Sequence, residues 1–271
     1  MAPANFLLDR VAADFEERLA LVSRHFPRAL DLGTPGPQIA ELLRREPDRF
    51  VVRAAPLRES AGRLAVVADE EALPFAAESF DLVASALSLQ WANDLPGGLV
   101  QIRRALDPDG LFLAALVGGQ SLTELRTALT AAEAELTGGA SPRVAPFADV
   151  RDLGGLLQRA GFALPVTDIE PVSVRYASMF ELMQDLRAMG ATNALAERSR
   201  KPLHRAVLLR AAEIYAARFA DPDGRVRATF EIVWLSGWAP HESQQKPLAP
   251  GSARMRLSDA LNAREERLPR D

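Results

Sequence analysis

The sequence predicts an α/β fold in which a mainly parallel sheet carries helices on both faces. Three observations carry that prediction. Short apolar runs alternate with amphipathic stretches through the first half of the chain, the order that builds parallel strands with crossover helices. A strand-like run, Arg28 to Leu32, opens into the turn-rich Gly33-Thr34-Pro35-Gly36-Pro37 and then into a helix from Gln38 to Arg45. Leu111 to Val117 is apolar throughout and follows the turn signal Asp107-Pro108-Asp109-Gly110, as a strand covered on both faces does.

The remaining elements follow from spacing. Val11, Phe15, Leu19 and Val22 recur at helical intervals between Asp9 and Phe26, which predicts an amphipathic helix packed beside the first strand. Phe50 to Ala54, Leu64 to Ala68 and Phe80 to Ser85 are the second to fourth strands, and Leu95 to Leu106 is the helix before the fifth. Helices at Leu122 to Leu136 and Val150 to Ala160 precede an extended stretch, Val166 to Tyr176, rich in β-branched residues. Two more helices, Phe180 to Met189 and Pro202 to Phe219, separate it from a last strand at Val226 to Leu235. The predicted organisation is an N-terminal helix (1–26), one α/β domain (27–240) with a helical cap insertion at about 177–222, and a polar tail (241–271). Such an insertion falls near the strand ends where α/β sheets bind ligands.

Bulk properties exclude several functions. With 48% hydrophobic and 25% charged residues the chain has ordinary globular composition, and no apolar run approaches the roughly 18 residues that span a bilayer. The start, MAPANFLLDR, lacks the features of a secretory signal, so a cytoplasmic location is expected. The absence of cysteine excludes disulfides, thiolate catalysis and Cys-based zinc sites. A formal net charge of -4 disfavours nucleic acid as a partner. The three histidines predict no metal site, since His241-Glu242 lacks the second histidine of H-E-x-x-H and has Gln245 there. No G-x-S-x-G elbow supports a serine hydrolase.

The turn after the first strand is the strongest functional signal. Glycine allows close backbone approach of a ligand, and Asp31-Leu32-Gly33 begins such a site. The dinucleotide pattern G-x-G-x-x-G is absent, which disfavours hydride transfer.

The runs ALDLG, VADEEALPF, SFDLVASALSLQW and RRALDPDG resemble the successive motifs of class I S-adenosylmethionine-dependent methyltransferases, and the resemblance covers nearly the whole chain. It implies a Rossmann-like seven-stranded sheet with the last strand antiparallel, and S-adenosylmethionine as cofactor. By position in those motifs, Asp31 and Gly33 hold the methionine part, Asp69 with Glu70 beside it reaches the adenine, and Ala86 and Leu87 line the methyl-donor pocket. A narrower likeness, carried by TFEIVWLSGWAPHESQQKPLAPGSA and LRAMGATNAL, is to bacterial relatives of mitochondrial complex I assembly factor 5, an arginine hydroxylase. It implies a respiratory complex I subunit as partner. The malonyl carrier-protein methyltransferases share the core motifs and match the tail less well.

Two departures bear on the cofactor. Pro35 and Pro37 stand where the family turn has its second and third glycines, which removes two amide donors and fixes φ. Pro37 suits the opening of the next helix, and Gly36 is a source of compensating freedom. After the second strand the ribose-binding acid is missing from Arg53-Ala54-Ala55-Pro56, and the nearest acid is Glu59. Loss of one charge-assisted hydrogen bond costs about 1.5–3 kcal/mol, or ten- to a hundredfold in affinity. Gln90 and Trp91 are expected at the pocket, where an amide orients a substrate and an indole stacks on it, or else Trp91 packs in the core. Three readings follow: methyl transfer to an unidentified acceptor, arginine hydroxylation on a complex I subunit, and non-catalytic assembly on a fold that has lost its cofactor.

Overall fold

The computed structural model describes residues 5–57 and 65–245. Seven strands form one sheet in the order β3-β2-β1-β4-β5-β7-β6, with β1 at Arg28–Leu32, β2 at Phe50–Ala55, β3 at Ala65–Val67, β4 at Phe80–Ala86, β5 at Leu106–Val117, β6 at Ala163–Tyr176 and β7 at Val226–Trp238. The pairs β1–β2, β2–β3, β1–β4 and β4–β5 are parallel, whereas β7 runs antiparallel between β5 and β6. This is the expected sheet, with its last strand reversed. The central strands are buried almost end to end, β4 from Leu82 to Ala86 and β5 from Leu111 to Leu116, as the absence of polar alternation in their sequences requires.

The helices are α1 (Phe6–Ala20), α2 (Gln38–Leu43), α3 (Leu95–Ala105), α4 (Thr123–Thr137), α5 (Val150–Arg159), α6 (Met179–Ala188) and α7 (Arg205–Phe219). Side-chain caps explain several starts: Asp94 accepts from Gly97 N at 2.9 Å, Asp149 from Arg151 N at 2.9 Å and Ser178 from Glu181 N at 3.3 Å. In α7 an apolar stripe of Val207, Ala211, Ile214 and Tyr215 is buried. That helix begins at Arg205 rather than Pro202, with His204 as its cap.

Three expectations are corrected. The first helix ends at Ala20, not Phe26: Pro27 disfavours helical backbone at Phe26, and Leu21 is 84% exposed, so a longer helix has no apolar face to bury there. Nor does α1 sit chiefly beside β1. Phe15 packs on Trp234 of β7 with ring centroids 5.1 Å apart, Arg18 donates to Asp168 of β6 at 2.7 Å, and Arg45 of the segment after α2 donates to Glu16 at 2.6 Å. The Asp107–Gly110 turn is absorbed into β5 as a bulge, because Phe80 pairs with Leu106 and Leu82 with Leu111, with Asp109 at φ 64°.

The carboxyl ends of β1 to β5 lie along one edge. There β6 ends at Tyr176 and β7 begins at Val226, so α6 and α7, which connect them, leave the sheet on the ligand-binding side. No helix of the described residues is long and apolar enough to cross a membrane. A second unit begins at His241, and in it His241 Nδ1 lies 2.6 Å from Ser243 Oγ.

Candidate functional site

The turn after β1 is held from beneath by a charged pair. Asp31 and Arg53 are register partners on adjacent parallel strands, and both are buried, at 0% and 6% exposure. Arg53 Nε lies 3.4 Å from Asp31 Oδ2, while the other end of the guanidinium donates to the carbonyls of Thr34 at 2.7 Å and Gly36 at 2.6 Å. Arg53 therefore ties down the two carbonyls that flank Pro35. It stands on the strand after which the family places an acid; Glu59, the nearest acid in sequence, lies outside the described residues.

Burial pushes the Asp31 carboxyl up from 3.8 to about 7, against the opposing pull of Thr34 and Arg53. Between those values the native state keeps a proton that the unfolded chain has released, so the contribution of Asp31 is fully present below about pH 4 and is lost as pH rises through 7. The stability of the native protein minus that of Asp31→Asn is expected to fall by about 2–4 kcal/mol between pH 4 and pH 8 in urea titrations. A flat difference would show that the carboxyl ionises normally.

Gly33 has φ +72°, where an L side chain is strained, and its N–H donates to Ala54 O at 2.7 Å. A Cβ built on it would overlap Ser88 Oγ and the Glu70 carboxylate, which hydrogen-bond each other above the glycine. Asp69 is exposed beyond the end of β3, where its Oδ1 accepts from Glu71 N at 2.9 Å, and Glu70 is half-buried. Ala86 ends β4, and its N–H donates to Thr34 Oγ1 at 3.2 Å. Leu87 follows at φ 53°, held by Leu87 N to Ala115 O at 2.7 Å. Thus Gly33, Glu70 and Ser88 meet at the carboxyl ends of β1 and β4, with Ala86 tied to Thr34 and followed by Leu87, and this junction is the candidate crevice; Asp31 is buried on β1 just before it, and Asp69 is exposed after β3.

The two prolines are accommodated. Pro37 immediately precedes α2, where an amide donor is not used by the helix, and its carbonyl accepts from Glu41 N at 2.8 Å. Gly36 does not adopt a left-handed conformation; it serves close packing, since a Cβ there would meet Leu8 Cδ2 at 2.9 Å.

Beside the crevice is a cavity of about 370 Å³. Pro35 and Leu87 line it from the crevice loops, Leu7 and Leu8 from α1, Leu186 and Ala188 from α6, and residues 189–193 from the segment after it. The run LRAMGATNAL, distinctive in the sequence, thus supplies its outer wall. Gln90 and Trp91, in the short turn Leu89–Trp91, face it, and Trp91 is 45% exposed rather than core. Trp234 is the core tryptophan, at 1% exposure.

Sequence reasoning passed over Arg53, Thr34 and Ser88. A single arginine in the otherwise apolar FVVRAA was the available signal for the first, because a charge buried in a strand needs a partner nearby. Nothing in the local sequence marks Thr34 or Ser88.

Comparison with known proteins identifies the family. The family described as Methyltransferase domain matches residues 35–114. Over 263 residues the chain is 43% identical to the arginine-hydroxylase NDUFAF5, mitochondrial, of Danio rerio, covering 94% of this chain and 82% of that protein. This chain is a class I methyltransferase-family protein, related to NDUFAF5. A second branch of the family is similar too: a malonyl-[acyl-carrier protein] O-methyltransferase of Halorhodospira halophila is 39% identical over 262 residues, covering 92% of this chain and 87% of that one. The class I methyltransferase fold is also that of a crystal structure from Bacillus halodurans C-125, with TM-score 0.58 at 15% identity, covering 85% of this chain and 99% of that chain.

Proposed function

We propose that this chain binds S-adenosylmethionine in the crevice and directs its reactive group at a side chain held in the adjoining cavity, with methyl transfer as the reaction. The observation that carries the proposal is that Pro35 and Leu87 belong to the crevice loops and also line the cavity, so donor and acceptor spaces meet there. Gly33, Glu70, Ala86 and Leu87 would hold the cofactor directly, Asp69 would bound the adenine side, and Asp31 would act through the loop above it. The ligand supplies an electrophilic methyl on a sulfonium; the protein orients the acceptor in line and excludes water.

The residues suit that ligand. S-adenosylmethionine has no phosphate, so the amide donors lost at Pro35 and Pro37 matter less than they would for a nucleotide. Its ammonium and ribose hydroxyls need acceptors, and the Glu70 carboxylate and Ser88 hydroxyl stand over Gly33 to provide them. At ligand a hundredfold above Kd, S-adenosylmethionine or its demethylated product is expected to raise the melting temperature by about 5–10 °C. No shift at saturation would sink the proposal.

A second reading, arginine hydroxylation, is favoured by the 43% identity over 94% of the chain to a protein of that name. In either reading the proposed partner is a respiratory complex I subunit, met in the cytoplasm. Mass spectrometry of that subunit from cells with and without this gene separates the two, since an added methyl and an added oxygen differ in mass.

A further inference from the structure

The loop between α4 and α5 bounds a second space. A groove of about 510 Å³ lies between α4, which gives Arg126 and Thr130, and residues 140–147 of that loop. Arg143, Val144 and Phe147 line both this groove and the cavity beside the crevice, so the two spaces share a wall. Pro142 and Pro146 restrict the backbone of that wall. The charge of Arg143 is already taken: it donates to Glu133 Oε1 at 2.6 Å, and Ser141 holds the same carboxylate through its N–H at 2.9 Å and its hydroxyl at 3.2 Å.

Arg126 is placed differently. Its Nη2 donates to the carbonyl of Ser121 at 3.2 Å and lies 3.5 Å from that of Ala145, which sets the guanidinium against the loop. Nε and Nη1 have no partner among the described residues, and neither is sealed from solvent. No aspartate or glutamate is among the described residues that line the groove. Thr130 follows one turn later on the same face of α4; it is exposed, and among the described residues its hydroxyl has no partner. Arg126 also stands in the first turn of α4, where the helix dipole favours an anion.

Net charge decides which anion suits the groove. With Arg143 neutralised by Glu133, Arg126 is the uncompensated cation of the described wall. A carboxylate balances it and accepts from both the guanidinium and the Thr130 hydroxyl. A phosphate monoester, doubly charged at neutral pH, would leave negative charge over beside Glu133. Val144 and Phe147, with the two prolines, offer apolar surface to whatever carries the anion.

We propose that this groove is a binding site for a carboxylate on an apolar chain, with Arg126 and Thr130 holding the anion and the loop 140–147 packing on the chain. The carboxylate is held there and is not transformed. The site goes beyond the proposed function and does not depend on it, although a ligand seated in the groove borders the acceptor space across the shared wall.

The test is an NMR titration of the full chain with hexanoate, hexanamide and hexyl phosphate, following the amides of residues 126, 130 and 140–147. Hexanoate is expected to bind at least about tenfold more tightly than hexanamide, and more tightly than hexyl phosphate. Arg126→Gln removes the cation. Thr130→Glu is an exposed change that leaves the carbonyl ties of Arg126 in place and sets a carboxylate one turn from it. Each variant is expected to weaken hexanoate at least about tenfold while hexanamide affinity stays within about twofold and the amide spectrum outside the groove is unchanged. The assignment is overturned by hexanamide binding as tightly as hexanoate, by tighter binding of hexyl phosphate, or by a hexanoate affinity that Thr130→Glu does not move. It is overturned equally if no probe binds, or if S-adenosylmethionine displaces hexanoate, which would put the carboxylate in the crevice. Native protein that binds hexanoate as described but fails to bind S-adenosylmethionine refutes the proposed function alone.

Discussion

Arg53→Met is expected to cost about 3–5 kcal/mol of stability at pH 8 and clearly less at pH 5.5. The substitution keeps the aliphatic bulk of the arginine and removes the charge opposite Asp31, which is fully buried. At pH 8 it leaves an uncompensated carboxylate in the sheet. With its folded pKa already raised to about 7, and higher still without Arg53, that carboxyl escapes by taking a proton at lower pH, so the penalty shrinks in acid. The variant also releases the carbonyls of Thr34 and Gly36, so S-adenosylmethionine affinity is expected to drop more than about tenfold even at pH 5.5, where the charge is relieved. Urea unfolding at the two pH values, with a ligand titration at the lower one, checks both parts. An equal stability loss at both would mean that Arg53 acts through packing alone.

Gly33→Ala is expected to abolish cofactor binding, with an affinity loss of at least about a hundredfold. A left-handed backbone costs an L residue about 1–2 kcal/mol, and this part appears as a melting point lower by several degrees. The larger effect is local. The added Cβ claims the space of Ser88 Oγ and the Glu70 carboxylate, so both groups must leave the position from which, under the proposed function, they would face the ligand. Retention of affinity within about threefold in a folded variant would place the ligand elsewhere.

Much of the fold is legible in the sequence because buried strands and amphipathic helices announce themselves by pattern. FDLVASA and LFLAALV carry no polar alternation, and both lie in the centre of the sheet. What pattern does not reveal is pairing between strands. Asp31 and Arg53 are 22 positions apart and read separately as a ligand-binding acid and a missing one; only the register of β1 against β2 joins them into a brace. That register also explains how the turn tolerates Pro35 and Pro37, since its carbonyls are fixed by a side chain from the neighbouring strand. The two helices between the late strands were visible in the sequence, but that residues 188–193 line the same cavity as Leu87 and Trp91 depends on where that connection folds back. The overlong first helix had a different cause: Val22 continued the periodic pattern past the point where burial ends.

The central claim is that an arginine-braced, proline-containing turn still receives the sulfonium nucleoside. Isothermal titration of the native protein with S-adenosylmethionine tests it most directly, with Gly33→Ala as the paired control. Saturable one-to-one heat is expected for the native chain and none for the variant. Native protein that gives no heat at millimolar ligand, or a variant that binds equally well, would contradict it.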